Sequence, residues 1–177
     1  MDRLKLKWWK IVVTWILFLG LHFSYETFPN TLFRIIGEEG ETTYFHMKML
    51  FFAYIFSSIL EYFIRRKNLI SHQKFAYSRM LIAVVYPWMT ITVFFLAEAL
   101  TGAMLEIPWE IIYANVITVF GIYVAIRLEE ALDVIEFRPA LKVSISLIFL
   151  IALFTYMAFT FNTPEDFFET PIGIHGN

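Results

Sequence analysis

The chain has 177 residues, of which 59% are hydrophobic, 19% aromatic and only 17% charged, and its mean hydropathy is +0.63. Soluble domains average roughly 45–50% apolar and about 25% charged residues, so the composition excludes an ordinary soluble domain and indicates an integral membrane protein. The formal charge of −2 gives no basic excess for binding nucleic acid. The absence of cysteine excludes disulfides and thiolate metal sites.

Five apolar segments each approach the roughly 20 residues that a helix needs to cross a bilayer. We therefore predict an all-α fold, a polytopic membrane bundle of five transmembrane helices that forms a single domain over residues 1–177. The helices are expected at about 11–28, 44–64, 80–100, 109–126 and 143–161, with an external tail at 162–177. The apolar segment 31–36 is too short to span and is expected to lie along the interface. Pro87 should kink the third helix.

The basic residues are concentrated in alternate connections between these helices. Three regions hold twelve of the fourteen Lys and Arg residues: Arg3, Lys5, Lys7 and Lys10; Arg65, Arg66, Lys67, Lys74 and Arg79; and Arg127, Arg138 and Lys142. By the positive-inside rule, this pattern predicts a cytoplasmic N-terminus and an external C-terminus. The expected location is the cell membrane (plasma or inner membrane), with multiple crossings.

Ionisable side chains within spans are costly and tend to face the bundle interior. Six such residues share the outer half of the predicted bundle and form a candidate polar site: His22, Glu26, Glu41, His46, Lys48 and Glu98. Such a site suits either a proton relay or a divalent metal, for which His22, Glu26 and His46 are the candidate ligands. A hydrogen-bonded plug without turnover is the structural alternative. Glu41 or Thr42 is also a plausible cap of the second helix.

On the second helix, 100° per residue places His46, Ser57 and Glu61 on one stripe with Leu50 and Ala53. This stripe should face protein, with Glu61 near the inner mouth as the inner-side candidate residue. The simpler interpretation of Glu61 is an i,i+4 pair with Arg65.

The fourth helix carries small and polar residues, Asn115, Thr118 and Gly121, that are typical of interhelical packing. The segment 127–137 is expected to continue this helix into the cytoplasmic interface. Its apolar face would be formed by Leu128, Leu132 and Ile135, opposite the acidic residues.

Several of these residues carry a resemblance to a known family. They are Glu41-Thr42 through His46 and Lys48, the following LFF, Glu61-Tyr-Phe, His22, and the tail residues Pro164, Pro171, Gly173 and Gly176. The pattern resembles an uncharacterised prokaryotic family of small multi-pass integral membrane proteins, a domain of unknown function, which implies a compact helical membrane protein and no particular activity. The Glu-Thr run is also similar to that of the adiponectin receptors and hemolysin III, but here the spacing to His46 is shorter and a His pair in the last helix is missing.

Three functional hypotheses follow from the sequence. The first is a protein that handles cations or protons through the outer polar site. The alternatives are a membrane-embedded metal-dependent hydrolase, and a non-catalytic partner subunit or scaffold of a membrane complex, including a homo-oligomer. No Walker loop, Rossmann glycine pattern or H-E-x-x-H motif occurs, so the sequence assigns no catalytic residue and does not decide whether the protein is an enzyme.

Overall fold

The computed structural model describes residues 7–37, 40, 42–101 and 107–162, without the side chains of residues 97, 98, 101 and 107. Within these residues the fold is all-α. The helices are α1 (Trp8–His22), α2 (Ser24–Thr27), α3 (Thr31–Ile36), α4 (Thr43–Arg65), α5 (His72–Thr101), α6 (Ile107–Leu132) and α7 (Pro139–Ala158), with a 3-10 turn at Arg66–Asn68. The tail from residue 163 onwards lies outside the described residues.

Three helices begin at residues suited to that position. The Asn30 side chain accepts hydrogen bonds from the backbone N–H groups of Leu32 and Phe33 and so caps α3. Thr42, one of the two residues expected as a cap, accepts from the N–H of Phe45 at the start of α4. Pro139 occupies the first turn of α7, where its missing N–H costs nothing.

The expected first helix, 11–28, is wrong as a single element, because the chain forms α1 and α2 with a break at Phe23. Beside the break, the Ser24 hydroxyl donates to the carbonyl of Leu21 at 2.7 Å. Gly37 packs against this turn: a Cβ there would lie 2.8 Å from the Leu21 carbonyl oxygen and would collide with the Ser24 hydroxyl. The absence of a side chain at Gly37 therefore lets the end of α3 approach the break.

Among the described residues, four helices are long and apolar enough to cross a membrane: Thr43–Asn68, His72–Leu96, Pro108–Leu132 and Pro139–Ala158. The apolar helix α1 is shorter, with 15 residues, and extends about 22 Å at 1.5 Å per residue. Pro87 lies within α5, and the helix continues on both sides of it.

Helix α4 lies at the centre of the bundle. It contacts α1 on one side and α5 on the other, α6 packs against α5 and α1, and α7 packs against α5. Its side chains are buried along most of its length, including Tyr44, Met49, Phe51 and Tyr54. We call one end of the bundle the basic end: α1, α5 and α7 begin there, and α4 and α6 end there. The opposite end, where these helices have their other termini, is the far end.

Candidate functional site

A buried group of charged side chains lies at the basic end of the bundle. This ionic cluster consists of Lys7, Lys10, Glu61, Arg79 and Glu129. The residues come from the start of α1, the last turns of α4, the second turn of α5 and the last turn of α6. The cluster therefore joins four helices that are far apart in sequence.

The Glu61 carboxylate is fully buried and surrounded by cations. Its Oε1 lies 2.7 Å from Lys7 Nζ and 3.0 Å from Arg79 Nη2, and its Oε2 lies 2.7 Å from Lys10 Nζ. Arg65 also approaches Oε1, at 2.6 Å, from one turn further along α4. The expected pair with Arg65 is present, but it is the most exposed of four ion pairs.

The Glu129 carboxylate, also fully buried, meets the same three cations. Its Oε2 lies 2.6 Å from Lys10 Nζ, and its Oε1 lies 2.9 Å from Lys7 Nζ and 3.3 Å from Arg79 Nη2. The buried Tyr54 hydroxyl donates to Oε2 at 2.5 Å, and the Lys10 ammonium lies 4.8 Å from the centre of the Tyr54 ring. Each of the three cations thus bridges both carboxylates.

Arg79 connects the cluster to the surface at the basic end. While Nη2 faces Glu61 and Glu129, Nη1 donates to the Ser78 hydroxyl at 2.7 Å and forms an ion pair with Asp133. The guanidinium carbon lies 4.1 Å from the centre of the Phe75 ring, a cation–π contact. A planar guanidinium suits this position because it donates in several fixed directions at once.

The net charge of the ionic cluster is +1, because Lys7, Lys10 and Arg79 face two carboxylates. Burying charged groups costs several kcal/mol per ion, which close pairing offsets only when the geometry is good. Here every Lys10 and Glu61 side-chain atom is inaccessible to solvent. The cluster is therefore a place where a gained or lost proton would change the interhelical energy strongly.

The structure corrects the orientation expected for segment 127–137. The helix does continue, to Leu132, but the predicted apolar face is divided: Leu128 is 39% exposed and Ile135 46% exposed, while Leu132 packs against the core. Glu129, expected opposite this face, is fully buried, and Glu130 is only 3% exposed. The physical reason is that the cations of α1 and α5 lie on the inner side of α6 and compensate the Glu129 charge.

At the far end, the structure brings the two histidines of the predicted outer site together. The ring centres of His22 and His46 are 5.8 Å apart, with the rings tilted by 40°. His46 Nδ1 lies 2.9 Å from the carbonyl oxygen of Thr42, in the preceding turn. Glu26, predicted to lie beside His22, is exposed in α2.

Lys48 is fully buried near the far end, on another face of α4. Its ammonium donates to the carbonyl of Arg34 at 2.8 Å and to the Thr160 hydroxyl at 3.2 Å, and it lies 4.6 Å from the centre of the Phe45 ring. Lys48 thereby ties α3 and the end of α7 to α4. Glu41 and the side chain of Glu98 lie outside the described residues.

Within the described part of the chain, no three His, Asp or Glu side chains come close enough together to hold a metal ion. The metal set of His22, Glu26 and His46 stays a prediction, as does the six-residue outer site. The stripe on α4 faces protein as expected, since Leu50, Ala53, Ser57 and Glu61 are all buried.

The sequence interpretation misses most of the ionic cluster. It treats Lys10 and Arg79 only as orientation signals and places Glu129 among the acidic residues opposite an apolar face, without assigning it a partner. One signal is available: Lys10, Glu61 and Glu129 each border or lie within a long apolar segment and share the basic end of the predicted topology. Opposite charges at the same depth in neighbouring helices are expected to pair.

A family model described as a family of unknown function, DUF6512, matches residues 2–173. The chain therefore belongs to this family, which confirms the resemblance to an uncharacterised family seen in the sequence. No curated protein and no solved structure matches the chain significantly.

Proposed function

We propose that the chain is an integral membrane protein of the cell membrane that handles protons, and that the ionic cluster closes its cytoplasmic end. The observation that carries this proposal is that three cations, two of them buried, each bridge the same two buried carboxylates, Glu61 and Glu129. The apolar composition and the four long apolar helices support the location, and the basic connections support a cytoplasmic N-terminus.

A bundle of this kind does not need such a cluster for stability alone. Buried ion pairs can often be replaced by well-packed apolar residues without loss of stability, and ionisable residues inside membrane proteins are functional candidates by default. Because each carboxylate of the cluster has several cationic partners, one contact can be lost while the charges stay partly compensated. An arrangement of this type can exchange partners during a movement of the helices.

Proton uptake provides a driving force for that movement. A proton on Glu61 or Glu129 would raise the net charge of the cluster from one to two positive charges and would leave Lys7, Lys10 and Arg79 to repel one another. Repulsion between cations at such short range favours separation of α1 and α6 from α4 and α5. The cluster thus acts as a proton-sensitive closure.

The centre of the bundle is closed in this conformation. Between His46 and Glu61, the side chains of Leu50, Ala53 and Ser57 are buried against neighbouring helices. Proton movement between the outer histidines and the ionic cluster would therefore need a change of conformation rather than a permanent water-filled channel. A dry centre counts against a proton-coupled carrier in this conformation, so the proposal depends on a conformational change that opens the ionic cluster.

The proposal is tested with the full chain in liposomes that contain a pH-sensitive dye, under an imposed membrane potential. Wild-type protein should carry protons inwards, whereas Glu61→Gln and Glu129→Gln should reduce the rate to that of protein-free liposomes. Glu136→Gln is the matched control, because this carboxylate is at the same end and its side chain is 90% exposed. A wild-type rate no higher than that of protein-free liposomes would overturn the proposal.

The closeness of His22 and His46 supports a second candidate function, a membrane-embedded metal-dependent hydrolase, in which the two imidazoles would contribute to a divalent metal site. This version requires stoichiometric metal in the purified protein and its loss in His46→Ala. Metal analysis of folded wild-type protein and of this variant distinguishes the two functions, since the ionic cluster requires no metal.

A further inference from the structure

An apolar groove of about 400 Å³ runs between α4 and α5 at the basic end of the bundle. Its walls include Ile55, Ile59 and Phe63 of α4, Ala76 and Met80 of α5, and Phe149 of α7. Ile59 and Phe63 are 49% and 58% exposed, so the groove opens on the side of the bundle rather than into its centre. In a bilayer, this opening faces the lipid.

The lining of the groove is mainly apolar, with Tyr62 and His72 as partly or fully exposed polar members and two further polar side chains that are buried. Ser58 and Arg79 both line it and are 6% and 4% exposed. Neither the Ser58 hydroxyl nor Arg79 Nε has a hydrogen-bond partner among the residues that the structure describes. Buried polar groups are rarely left without a partner, because this costs free energy. Two such groups in one apolar groove therefore indicate a ligand with an acceptor oxygen on an apolar body.

The mouth of the groove is basic. Arg65 and Arg66 follow its α4 wall, Lys67 comes next along the chain, and the Arg66 guanidinium lies 5.7 Å from the centre of the Phe63 ring. Arg66 and Lys67 are exposed and form no ion pair with another residue in the described ranges. Such basic residues beside a membrane-spanning segment attract anionic lipid head groups.

We propose that this groove is a binding site for an anionic phospholipid of the inner leaflet. An acyl chain lies along Ile55, Ile59 and Phe149, an ester carbonyl accepts from Arg79 Nε and the Ser58 hydroxyl, and the phosphate meets Arg66 and Lys67. Ser58 is eight residues from Arg66, or about 12 Å along the helix axis, and the long, flexible Arg66 and Lys67 side chains can shorten this span to that between an ester and its phosphate. This proposal and the proposed proton handling have one premise in common, which is that the chain lies in a bilayer.

Because Arg79 also belongs to the ionic cluster, the site links lipid binding to that cluster. A bound carbonyl would hold the guanidinium in its present position, with Nη2 on Glu61 and Glu129. The lipid would therefore favour the closed arrangement of the basic end.

The test uses the purified full chain in detergent, titrated with phosphatidylglycerol or with phosphatidylcholine of the same acyl chains. Native mass spectrometry counts the bound lipid, and the shift of the unfolding temperature reports its effect. We expect phosphatidylglycerol to bind more tightly and to raise the unfolding temperature more. Ala76→Trp, which fills the groove from an exposed position, should abolish this binding, while Ala131→Trp, exposed on α6, should retain it.

A second variant tests the head group without touching the bundle interior. The double substitution Arg66→Gln, Lys67→Gln should lower the affinity for phosphatidylglycerol by about 10- to 30-fold, since each basic residue near an anionic head group contributes about fivefold. Its affinity for phosphatidylcholine should not change. Equal binding of the two lipids to wild type, unchanged binding by Ala76→Trp, or displacement of the lipid by inorganic phosphate would each overturn the proposal. None of these measurements depends on proton flux, so the two proposals can fail separately.

Discussion

Lys10 and Glu129 are 119 positions apart in the sequence, yet their side chains form a fully buried ion pair with an Nζ–Oε2 distance of 2.6 Å. This pair fastens the start of α1 to the last turn of α6. Because α1, with 15 residues, is shorter than the four helices that are long enough to cross a membrane, its position depends strongly on contacts of this kind.

Replacement of Lys10 should destabilise the protein. Lys10→Met removes the cation that contacts Oε2 of both carboxylates and so breaks two fully buried ion pairs, and we expect a loss of about 3–5 kcal/mol in the free energy of unfolding. The measurement is equilibrium unfolding in mixed micelles. Lys67→Met, an exposed substitution at the same end, is the control. Equal stability of the two variants would mean that the Lys10 pairs contribute little.

The hydroxyl of Tyr54 contributes to the same network. Tyr54→Phe keeps the ring near Lys10 but removes the donor to Glu129, and we expect a loss of about 1–3 kcal/mol. Tyr123→Phe is the comparison, since Tyr123 is 39% exposed and should change stability little. The account of Glu129 would be contradicted if Tyr54→Phe unfolded at the same denaturant concentration as wild type.

Gly121 sets the distance between α6 and α5. A Cβ at this position would lie 3.2 Å from Tyr86 Cε2 and would collide with the Thr90 hydroxyl. We expect Gly121→Ala to destabilise the protein by about 1–3 kcal/mol. Gly20 is the matched control, because a Cβ there meets nothing within 4 Å, and Gly20→Ala should be neutral or slightly stabilising. A larger effect at Gly20 would contradict the packing of α5 against α6.

The sequence is sufficient for the parts of the fold that depend on local patterns. The α4 bounds differ by one residue at each end from the expected 44–64, the segment 31–36 forms α3 as a separate element, and Thr42 caps α4. These features follow from apolar runs, from proline and from capping chemistry, all of which act within a few residues. Gly121 and Asn115 also pack between helices as expected, and Asn115 accepts a hydrogen bond from the Trp15 indole at 3.0 Å.

The ionic cluster could not be predicted from local patterns. Whether Glu129 faces lipid or protein depends on which helix lies beside α6, and the spacing of Leu128 and Leu132 places Glu129 opposite the apolar residues without showing that cations lie there. Lys10 shows the same problem: a lysine before an apolar segment is usually an orientation signal, and only the position of Glu61, 51 residues away, turns it into a buried ion pair. Long-range placement, rather than residue type, decides the role of each charge.

One part of the predicted outer polar site, the proximity of its two histidines, could be predicted from the sequence. Equal depth places His22 and His46 at one level, and their rings do meet. Depth does not give direction around a helix axis, however, and Glu26 follows a helix break that carries it to an exposed position. The break arises at Phe23 and Ser24, where neither glycine nor proline signals it.

The central claim, that proton uptake opens the ionic cluster, can be measured directly because the chain has no cysteine. Ser57→Cys introduces a single thiol one turn before Glu61, at a fully buried position. Lys67→Cys, the control variant, introduces one at an exposed position of the same end. Both variants are treated in inside-out membrane vesicles with a membrane-impermeant, thiol-reactive alkylthiosulfonate, and the labelling rate is corrected for the intrinsic reactivity of the thiol at each pH.

Labelling of the Ser57→Cys variant should increase as the pH falls, whereas labelling of the Lys67→Cys variant should stay constant. Addition of Glu129→Gln to Ser57→Cys should make the buried thiol accessible already at neutral pH, because this substitution removes one of the two negative charges that hold the cations together. Labelling of Ser57→Cys that is equally slow at every pH, with and without Glu129→Gln, would contradict the claim.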